Sequence, residues 1–361
     1  MKILQLSKYY PPTHGGLEIV AEFFSRAAAD LAHETRILSL GPETKVYIGR
    51  YGETVYQSKE NYNFKSAPIS LSYYRKWKEL VSDSDVILVH LPNPLAHELI
   101  KLSQAAIKTR KCRVVGIYHS DIVNQVLLRD AYNLYFMKDI ELYDDFICSS
   151  DKLRKSSSII GSLPEPKIHI IPYCIDPVNS LPRNAGSSGQ KAKFMAIGRM
   201  VPYKGYDFLL KSFKDLPFEL TMVGDGPLRS ELMKNAPKNV NFVGEVTEEE
   251  KFRLFSEHDA LIVSSINRSE AYGMTIVEAF SSGLPVISSN IDTGVTFLVR
   301  NGLTGLTFPI LSAPGLTEQV HRLGSDKALR EKLGKNCRSF FEEKLSYPAF
   351  KKNFKNFLST T

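Results

Sequence analysis

Residues 259–280 read DALIVSSINRSEAYGMTIVEAF and decide the fold class. The run DALIVSS is short and apolar, as expected for a buried strand, and the segment from Gly273 onwards has the pattern of a helix. Glu270 lies in the loop between them, and Glu278 lies on an otherwise apolar helical turn. Two carboxylates in this setting are hard to explain by packing. Because each helical residue rises about 1.5 Å, the segment spans on the order of 10 Å and suits both ends of an extended ligand.

A second motif, IGRMVPYKG at residues 197–205, follows the apolar run FMAIG and precedes the helical pattern YDFLLKSF. It places Arg199 and Lys204 just before a helix N-terminus. The positive end of the helix dipole disfavours cations there unless an anion lies between them. The motif therefore predicts an anionic ligand at this loop.

Short apolar runs alternate with longer helical patterns along the whole chain, which indicates parallel sheets covered by helices on both faces. The stretch NSLPRNAGSSGQKAK at residues 179–193 has no periodicity and is the predicted linker. The sequence thus predicts an α/β protein with two doubly wound domains that bind ligands beyond the carboxyl ends of the strands. The predicted strands are KILQLS, TRILSL, DVILVH, RVVGIYH, DDFICSS and KIHIIPY before the linker, and KFMAIG, ELTMVG, VNFVG, ALIVSS and PVISS after it.

Length and composition agree with this organisation. A chain of 361 residues with 43% hydrophobic residues is long enough for two cores. Its four cysteines have no CxxC spacing, which favours reduced core residues over disulfides or a zinc site. No segment has the pattern of a signal peptide or a membrane span, so we expect a cytoplasmic protein. The four cysteines are Cys112, Cys148, Cys174 and Cys337.

The ordered series of a glycine pair near the N-terminus, GR…KG, and E…E resembles the family 4 glycosyltransferases of GT-B architecture. The resemblance covers nearly the whole chain and implies two Rossmann-like domains that face each other across a cleft. The domains are then an acceptor-binding domain at residues 1–178, a nucleotide-sugar-binding domain at 179–345, and a C-terminal helix at 346–361 that crosses back to the first domain. The segment IIPYCID carries Cys174 where the family commonly has glycine. This difference affects the geometry of the hinge more than the chemistry of the site.

The resemblance also implies roles for individual residues. Arg199 and Lys204 stabilise the negative charge that grows on the departing diphosphate, and these two cations take the place of a metal ion. Glu270 binds hydroxyls of the donor sugar. Glu278 accepts hydrogen bonds from the ribose. We therefore expect no cofactor and no metal, a nucleoside diphosphate sugar as donor, and retention of the anomeric configuration. Further donor-binding positions that the resemblance implies are Gly15, Gly16, Gly224, Val246, Gly273, Met274 and Thr275.

The glycine pair Gly15 and Gly16 ends a loop after the first strand and precedes a helix expected from Leu17. One interpretation is a turn that needs positive φ, and the other is close approach of backbone amides to an anion or a sugar. The GR…KG motif in the other half favours the second. Family members use this loop to cover the donor diphosphate from the opposite domain.

Two further patterns resemble known binding motifs but are not interpreted as such. Gly224 and Gly226 form GxG, but Pro227 follows and the third glycine of a dinucleotide fingerprint is missing. The pattern therefore does not indicate an NAD-binding site. The segment resembles instead the family's loop beneath the nucleotide base. Asp83 and Asp85 form DxD, a pattern that holds a metal-bound diphosphate in other glycosyltransferases. Here the pair precedes the strand VILVH, at the end opposite to the expected ligand, and we interpret both residues as solvated charges.

His119 leaves the carboxyl end of the apolar strand VVGIY. A histidine there is usually structural, but in relatives of this family such a histidine contacts the transferred sugar, and Asp121 completes an HSD triplet similar to mannosyl-type members. GDP-mannose is therefore the favoured donor, with a UDP-hexose as the alternative. His90 also ends a strand and is a candidate for the acceptor side.

The acceptor is predicted only as a glycan or a lipid-linked glycan. The stretches SYYRKWKEL around Trp77 and IKLSQAAIKTRKCR mix cations with apolar residues, and the formal net charge is +7. They are either docking sites for an anionic membrane or solvated helix faces. Nucleic acid is not expected, because the cations are scattered. Alternative functions are a GT-B epimerase or hydrolase, a phosphorylase, for which the chain is too short, and a non-catalytic sugar-nucleotide binding protein.

Overall fold

The structure is a computed structural model that describes residues 1–13, 15–64, 67–123, 126–177 and 192–360. The chain forms two compact units: the first unit comprises Met1–Tyr173 and Phe350–Thr361, and the second comprises Cys174–Ala349. The predicted boundary at residues 178 and 179, and most of the predicted linker, lie outside the described residues.

The first unit contains, within its described residues, an eight-stranded sheet in the order β10-β9-β8-β7-β1-β2-β4-β3, together with a small hairpin of β5 and β6. All neighbouring strands of the large sheet are parallel except β3 and β4. The strands are β1 (Lys2–Leu6), β2 (Glu34–Gly41), β3 (Lys45–Ile48), β4 (Thr54–Lys59), β5 (Tyr62–Phe64), β6 (Ala67–Ile69), β7 (Val86–Leu91), β8 (Arg113–Tyr118), β9 (Asp145–Cys148) and β10 (Ile168–Ile170).

The strand order of the first unit reverses between β1 and β7, which pair side by side with Ile3 opposite Val86. At such a switch point the loops leaving the two strands diverge and open a crevice at their carboxyl ends. The loop after β1 carries Gly15, and β7 ends with His90 and Leu91. The fold therefore brings two separately predicted positions to one edge of the sheet.

The helices of the first unit bury apolar faces against this sheet. Tyr73 and Trp77 lie one turn apart on α2 and are almost fully buried in the main core. The sequence left the stretch around Trp77 open as either a membrane-docking site or a solvated helix face, and neither interpretation holds for these two side chains, because they pack into the core. The helices are α1 (Gly16–Asp30), α2 (Leu71–Val81), α3 (Pro94–Leu102), α4 (Gln104–Arg110), α5 (Val126–Lys138) and α6 (Asp151–Ser156), with 3-10 turns at Ile140–Leu142, Ile160–Ser162 and Glu165–Lys167.

The second unit contains, within residues 192–349, a six-stranded parallel sheet in the order β13-β12-β11-β14-β15-β16, with its switch point between β11 and β14. The strands are β11 (Lys193–Ile197), β12 (Glu219–Val223), β13 (Val240–Gly244), β14 (Ala260–Val263), β15 (Val286–Ser289) and β16 (Gly305–Phe308). The helices are α7 (Tyr206–Phe213), α8 (Arg229–Lys234), α9 (Glu248–Glu257), α10 (Met274–Ser281), α11 (Gly294–Leu298), α12 (Ala313–Ser325) and α13 (Lys327–Phe340), with a 3-10 turn at Pro202–Lys204 and a π-helical turn at Phe341–Leu345.

The strand β16 lies in NGLTGLTF, at residues 301–308, outside the strands predicted from the sequence. Gly302 does form a turn, with φ at +75°. Gly305 instead begins a strand that pairs with β15. A Cβ atom at Gly305 would lie 2.1 Å from the carbonyl oxygen of Val286, so the close approach of the two strands requires glycine. Gly302 thus makes the turn and Gly305 allows the strand pairing that follows it.

The last helix, α14 (Tyr347–Leu358), carries phenylalanines that belong to the core of the first unit. Phe350 and Phe354 are buried, and both pack on Phe24 of α1 with ring centroids 4.9 and 5.1 Å apart. Phe357 packs against His169, 4.8 Å away, and lies under the guanidinium of Arg113. The spacing of the three aromatic rings matches one face of a helix, and burial of this face holds α14 against the first unit.

Candidate active site

The loops that follow β11 and β14 flank the switch point of the second unit and carry the two motifs found in the sequence. The loop after β11 holds Arg199 and Lys204, and the loop after β14 holds Glu270. The hydroxyl of Ser264, at the end of β14, donates to the carbonyl oxygen of Lys204 over 2.8 Å and so links the two loops. The fold thus joins segments that lie 60 residues apart in the sequence.

Lys204 and Glu270 form an ion pair, with 2.6 Å between Nζ and Oε2. Their side chains are only 12% and 9% exposed. Ser265 donates to the same carboxylate oxygen over 2.8 Å. Burial is the largest influence on the pKa of Lys204 and lowers it, but the charge and hydrogen bond of Glu270, together with Tyr206 and Tyr203, outweigh burial and raise the pKa above the usual value. The lysine is therefore a fixed positive charge at neutral pH.

Glu278, on α10, is paired with a lysine that the sequence did not single out. Lys251 of α9 donates to Oε1 of Glu278 over 3.0 Å and to both carboxylate oxygens of Glu248. The second oxygen of Glu278, Oε2, is buried and has no partner among the described residues. Burial raises the pKa of Glu278 above its usual value, and Lys251 opposes that rise. The predicted ribose-binding carboxylate thus keeps one oxygen uncommitted.

Arg199 lies apart from these ion pairs. Its side chain is exposed and lines an open pocket of about 410 Å³ together with Gly224, Asp225, Gly226 and Glu245. Gly224 has φ at +118°, and a Cβ atom there would lie 2.4 Å from the carbonyl oxygen of Gly198, so the two loops touch backbone to backbone.

Val246 is half-buried just beyond β13, which pairs with β12. Gly224 follows β12 directly, and its backbone amide donates to the carbonyl oxygen of Gly244 over 2.7 Å. The predicted positions Gly224 and Val246 therefore lie on neighbouring loops at the same edge of the second sheet.

Three helices at the sheet edges begin directly after a glycine and without a capping side chain, whereas α4 and α8, which also lack a capping side chain, follow Ser103 and Leu228. α1, α7 and α10 follow Gly15, Gly205 and Gly273, and none of these helix starts receives a hydrogen bond from a capping side chain. By contrast, α2, α3, α6, α9, α11, α12 and α13 are each capped by the side chain of the preceding residue. An uncapped first turn leaves backbone amides available to an anion. For α10 these include the amides of Met274 and Thr275.

The geometry at Gly15 excludes the first of the two interpretations of the glycine pair. Gly15 has φ at 173°, which is extended backbone that any residue adopts, and Gly16 already belongs to α1. Neither glycine therefore provides a turn with positive φ. A Cβ atom at Gly15 would lie 2.2 Å from Oε2 of Glu18, so the glycine makes room for a carboxylate beside the start of the helix.

His119, at the carboxyl edge of the first sheet, belongs to a chain of buried hydrogen bonds. Its Nε2 lies 2.9 Å from Nδ1 of His90, and its Nδ1 lies 2.7 Å from the hydroxyl of Tyr173. His90 Nε2 in turn lies 2.9 Å from Oε1 of Gln5 on β1. Burial lowers the pKa of His119 to about 3 and that of His90 well below its usual value. Both rings are therefore neutral at physiological pH.

The remaining polar candidates have structural partners. Asp121 accepts from Tyr118 over 2.7 Å and from Ser157 over 2.6 Å. Asp83 pairs with Lys2 at 2.7 Å and with Arg36 at 3.2 Å, at the amino end of β7. Among the described residues no group of three His, Cys, Asp or Glu side chains could hold a metal ion.

Sequence reasoning missed several residues of these sites. Ser265 ends an apolar strand, a position that could have been flagged in the sequence. Lys251 lies in the charged segment EEEKF, which resembles an ordinary solvated helix face, and nothing there indicates that its side chain is 10% exposed. Tyr173 and Gln5 lie in apolar runs, where neither stands out.

Comparison with protein families assigns the two halves of the chain. A model described as glycosyltransferase family 4 matches residues 14–179, and one described as glycosyl transferases group 1 matches residues 179–340. The chain belongs to glycosyltransferase family 4. Its two parallel-sheet, Rossmann-like units are those of the GT-B architecture, as predicted from the sequence motifs.

Individual relatives are similar over nearly their full length. The O-antigen chain mannosyltransferase C of Escherichia coli is 27% identical, with 95% of this chain and 94% of the relative covered. The D-rhamnosyltransferase WbpZ of Pseudomonas aeruginosa is 26% identical, with 95% and 92% covered. Among solved structures, the sucrose-phosphate synthase of Thermosynechococcus elongatus superimposes with a TM-score of 0.79 at 18% identity, and the match covers 99% and 98% of the two chains.

Proposed function

We propose that this glycosyltransferase transfers mannose from GDP-mannose to a glycan or a lipid-linked glycan during synthesis of a cell-surface polysaccharide. The two relatives support the sugar and the pathway, since one is an O-antigen mannosyltransferase and the other a D-rhamnosyltransferase. D-rhamnose is the 6-deoxy form of D-mannose, so both sugars share the manno configuration. The HSD triplet at residues 119–121 points the same way.

The observation that carries the proposal is the set of uncapped helices beside fixed cations. The starts of α7 and α10 offer unpaired amides at the switch point of the second unit, and Lys204, just before α7 on the chain, is a largely buried, charged group. A diphosphate is the anion that uses both features, because helix amides and a lysine bind its oxygens from different directions.

Catalysis then rests on electrostatic stabilisation of the leaving group. As the bond to the sugar breaks, negative charge grows on the β-phosphate, and preorganised Arg199 and Lys204 stabilise it more in the transition state than in the ground state. Glu270 holds Lys204 in place and offers its carboxylate to hydroxyls of the sugar. Glu278 offers its uncommitted oxygen to the ribose. These cations take the place of a metal ion.

We infer that the reaction retains the anomeric configuration through attack from the face that the diphosphate leaves. In that geometry a departing phosphate oxygen takes the proton of the acceptor hydroxyl, so that no protein base is required. The bond from the anomeric carbon to phosphate breaks, the bond to the acceptor oxygen forms, and the nucleoside diphosphate carries away the proton. An NMR measurement of the anomeric coupling in the product tests retention directly.

The donor is tested by thermal shift with GDP, UDP and ADP and with their sugars. A ligand at a hundredfold excess over its dissociation constant stabilises the folded chain by about 2.7 kcal/mol, which is readily measured. We expect the largest shift with GDP and GDP-mannose. A clear shift with UDP and none with GDP would overturn the mannose donor in favour of a UDP-hexose. Turnover that proceeds equally without an acceptor would indicate an epimerase or a hydrolase.

We also propose that the enzyme binds its acceptor at an anionic membrane surface. Within the described residues no helix is long and apolar enough to span a bilayer. Since Tyr73 and Trp77 are buried, the remaining candidate surface is α4 and its end, where Lys108, Arg110 and Lys111 are exposed beside Leu102.

Sedimentation with anionic vesicles tests this surface. We expect binding that salt weakens and that glutamate at Lys108, Arg110 and Lys111 abolishes. Glutamate at Arg75 and Lys78, two exposed cations on α2, is the matched control and should leave binding intact. Equal loss in both variants would mean that net charge alone drives the association, and no binding at all would indicate a soluble acceptor.

A further inference from the structure

A cavity of about 490 Å³ lies in the first unit at the amino end of β8, the end opposite to His119. Residues of α3, α4, the start of β8 and the 3-10 turn at Ile140–Leu142 line it. Its size is that of a small-molecule site. The cavity shares no residue with the candidate active site, so a ligand there would have a separate role.

The apolar side chains that line the cavity form a buried floor. Ile100, Ile107 and Cys112 are at most 7% exposed. Burial, together with the charges of Asp85 and Asp144, raises the pKa of the Cys112 thiol to about 12. The thiol is therefore uncharged at neutral pH and adds to the apolar floor.

Two of the three cations that line the cavity are uncommitted. Arg113 pairs with Asp145, with 2.7 Å between Nη2 and Oδ2. Lys108 and Lys111 are exposed, and neither has an ion-pair partner in the part of the chain that the structure describes. Their charges are available to an anion.

The two carboxylates that line the cavity already have partners. Glu141 pairs with Lys167 at 3.2 Å, and one oxygen of Asp144 accepts from the backbone amide of Val114 over 2.8 Å. Because Glu141 and Arg113 are each neutralised in an ion pair, the two free lysines face only the charge of Asp144. The free charge of the lining is therefore positive, by one unit.

The backbone at Lys111 separates the charge of this lysine from its role in the fold. Lys111 ends α4 with φ at 54°, in the left-handed conformation that favours glycine at the end of a helix. A lysine there is strained relative to glycine. Glycine can therefore replace Lys111 without loss of stability, and the change removes the charge alone.

We propose that this cavity binds an anionic phospholipid, whose phosphate contacts Lys108 and Lys111. The start of an acyl chain then lies against Ile107 and Cys112. The inference deepens the proposed docking of α4 on an anionic membrane and rests on it. A phosphodiester with one negative charge matches the excess positive charge of the lining. A lipid is favoured over a free phosphate because the cations lie beside an apolar floor, and Leu102, 65% exposed just before α4, extends the apolar surface outwards.

The first test uses short-chain lipids below their micelle concentration, so that no membrane is present. Calorimetry measures binding of dihexanoyl phosphatidylglycerol to the full chain, with dihexanoyl phosphatidylcholine and glycerol 3-phosphate for comparison. We expect phosphatidylglycerol to bind most tightly, because it alone combines a net negative charge with acyl chains. Equal binding of glycerol 3-phosphate would indicate a free-anion site, and equal binding of phosphatidylcholine would remove the role of the lysines. Either result overturns the proposal, as does failure of phosphatidylglycerol to bind.

The second test removes one lysine charge. Lys111→Gly should weaken binding of phosphatidylglycerol about tenfold, the equivalent of one charge-assisted hydrogen bond, and should leave the protein as stable as the wild type. Ala32→Gly is the matched control, since Ala32 also has a left-handed backbone, with φ at 58°, and does not line the cavity. It should bind the lipid as the wild type does. Wild-type affinity in Lys111→Gly would refute the phosphate contact.

The third test narrows the cavity without changing its charge. Leu142→Trp adds bulk at the lining, and Leu102→Trp adds the same bulk at an exposed position that does not line the cavity. We expect Leu142→Trp to lose the short-chain lipid and Leu102→Trp to keep it. Equal affinities in the two variants would show that the cavity takes no acyl chain.

Vesicle sedimentation separates failure of this inference from failure of the proposed docking. A wild-type protein that does not sediment with anionic vesicles would overturn the docking itself. Vesicle binding by a protein that ignores short-chain phosphatidylglycerol would overturn only the lipid site in the cavity.

Discussion

The two sheet edges that carry the candidate site are built from opposite kinds of polar group. At the edge of the second unit, Lys204 with Glu270 and Lys251 with Glu278 form buried or largely buried ion pairs. At the edge of the first unit, His119 lies in a chain of neutral hydrogen bonds.

The difference follows what each edge is expected to bind. A diphosphate carries several negative charges, and fixed cations stabilise it without reorganisation. A sugar carries only hydroxyls, and neutral acceptors of fixed direction distinguish hydroxyls better than charges do. The proposed contacts with diphosphate therefore belong to the second unit, and the neutral hydrogen-bond chain of the first unit suits hydroxyl groups. Each prediction below would break or sharpen this division.

The largest effect is expected at the buried ion pair. Lys204→Met leaves Glu270 buried with an uncompensated charge, so we expect a loss of about 3–5 kcal/mol in the free energy of unfolding and no measurable sugar transfer. Denaturant unfolding and turnover measure the two quantities. In the double variant Lys204→Met/Glu270→Gln the stranded charge is gone, so stability should recover in part while transfer stays absent. Recovery of transfer in the double variant would show that the lysine acts only on Glu270 and not on the diphosphate.

The next effect separates the two carboxylates. Glu278→Gln should weaken binding of bare GDP by about 1.5–3 kcal/mol, because a charged hydrogen bond to the ribose is lost. Glu270→Gln should leave that affinity nearly intact and reduce sugar transfer. Calorimetry with GDP measures both variants. Equal losses of GDP affinity, with normal folding, would show that the roles are assigned wrongly.

The contrast between the edges also shows what the sequence could reveal. The strand-to-helix loops were predictable, because apolar runs and glycines mark both the parallel strands and their switch points. Charged residues such as Lys204 and Glu270 were found because charge at a strand end is rare without a function. The sequence predicted the positions of these two residues but not the ion pair between them. Nothing local in IGRMVPYKG indicates that its lysine contacts a carboxylate 66 residues away.

Residues that act through burial were invisible for a physical reason. Gln5, Tyr173 and Lys251 are ordinary in their segments, and they become significant only when strands distant in sequence pack side by side. Burial could not be predicted at Trp77 for the same reason, since a helix that alternates cations with aromatic residues suits a membrane surface and a domain core equally well. Only the sheet beneath α2 distinguishes the two.

A smaller effect concerns pH and the neutrality of the first edge. The pKa of His119 is about 3 in the folded protein and about 6.5 in the unfolded chain, so between these values the unfolded chain binds the extra proton. Stability is therefore complete above about pH 6.5 and falls by about 1.4 kcal/mol per pH unit below it, to a loss of about 2 kcal/mol at pH 5. Denaturant unfolding of the wild type and of His119→Gln between pH 7.5 and 5 should show a shallower slope in the variant. Identical slopes would mean that His119 is protonated in the folded protein.

The smallest effect is expected from removal of divalent metal. Because Arg199 and Lys204 are proposed to neutralise the diphosphate, transfer should be the same in EDTA and in magnesium or manganese. Asp83 lies at the amino end of β7 and pairs with Lys2 and Arg36, and Asp85 accepts from the backbone amide of Lys2 over 2.7 Å, so neither is placed to hold a metal at the carboxyl edge. Asp83→Asn should have little effect on stability, as expected for an exposed ion pair, and should not change the rate of transfer. Activity that disappears in EDTA, returns with metal and is lost in Asp83→Asn would place the diphosphate on the DxD pair and remove the charged edge of the second unit from catalysis.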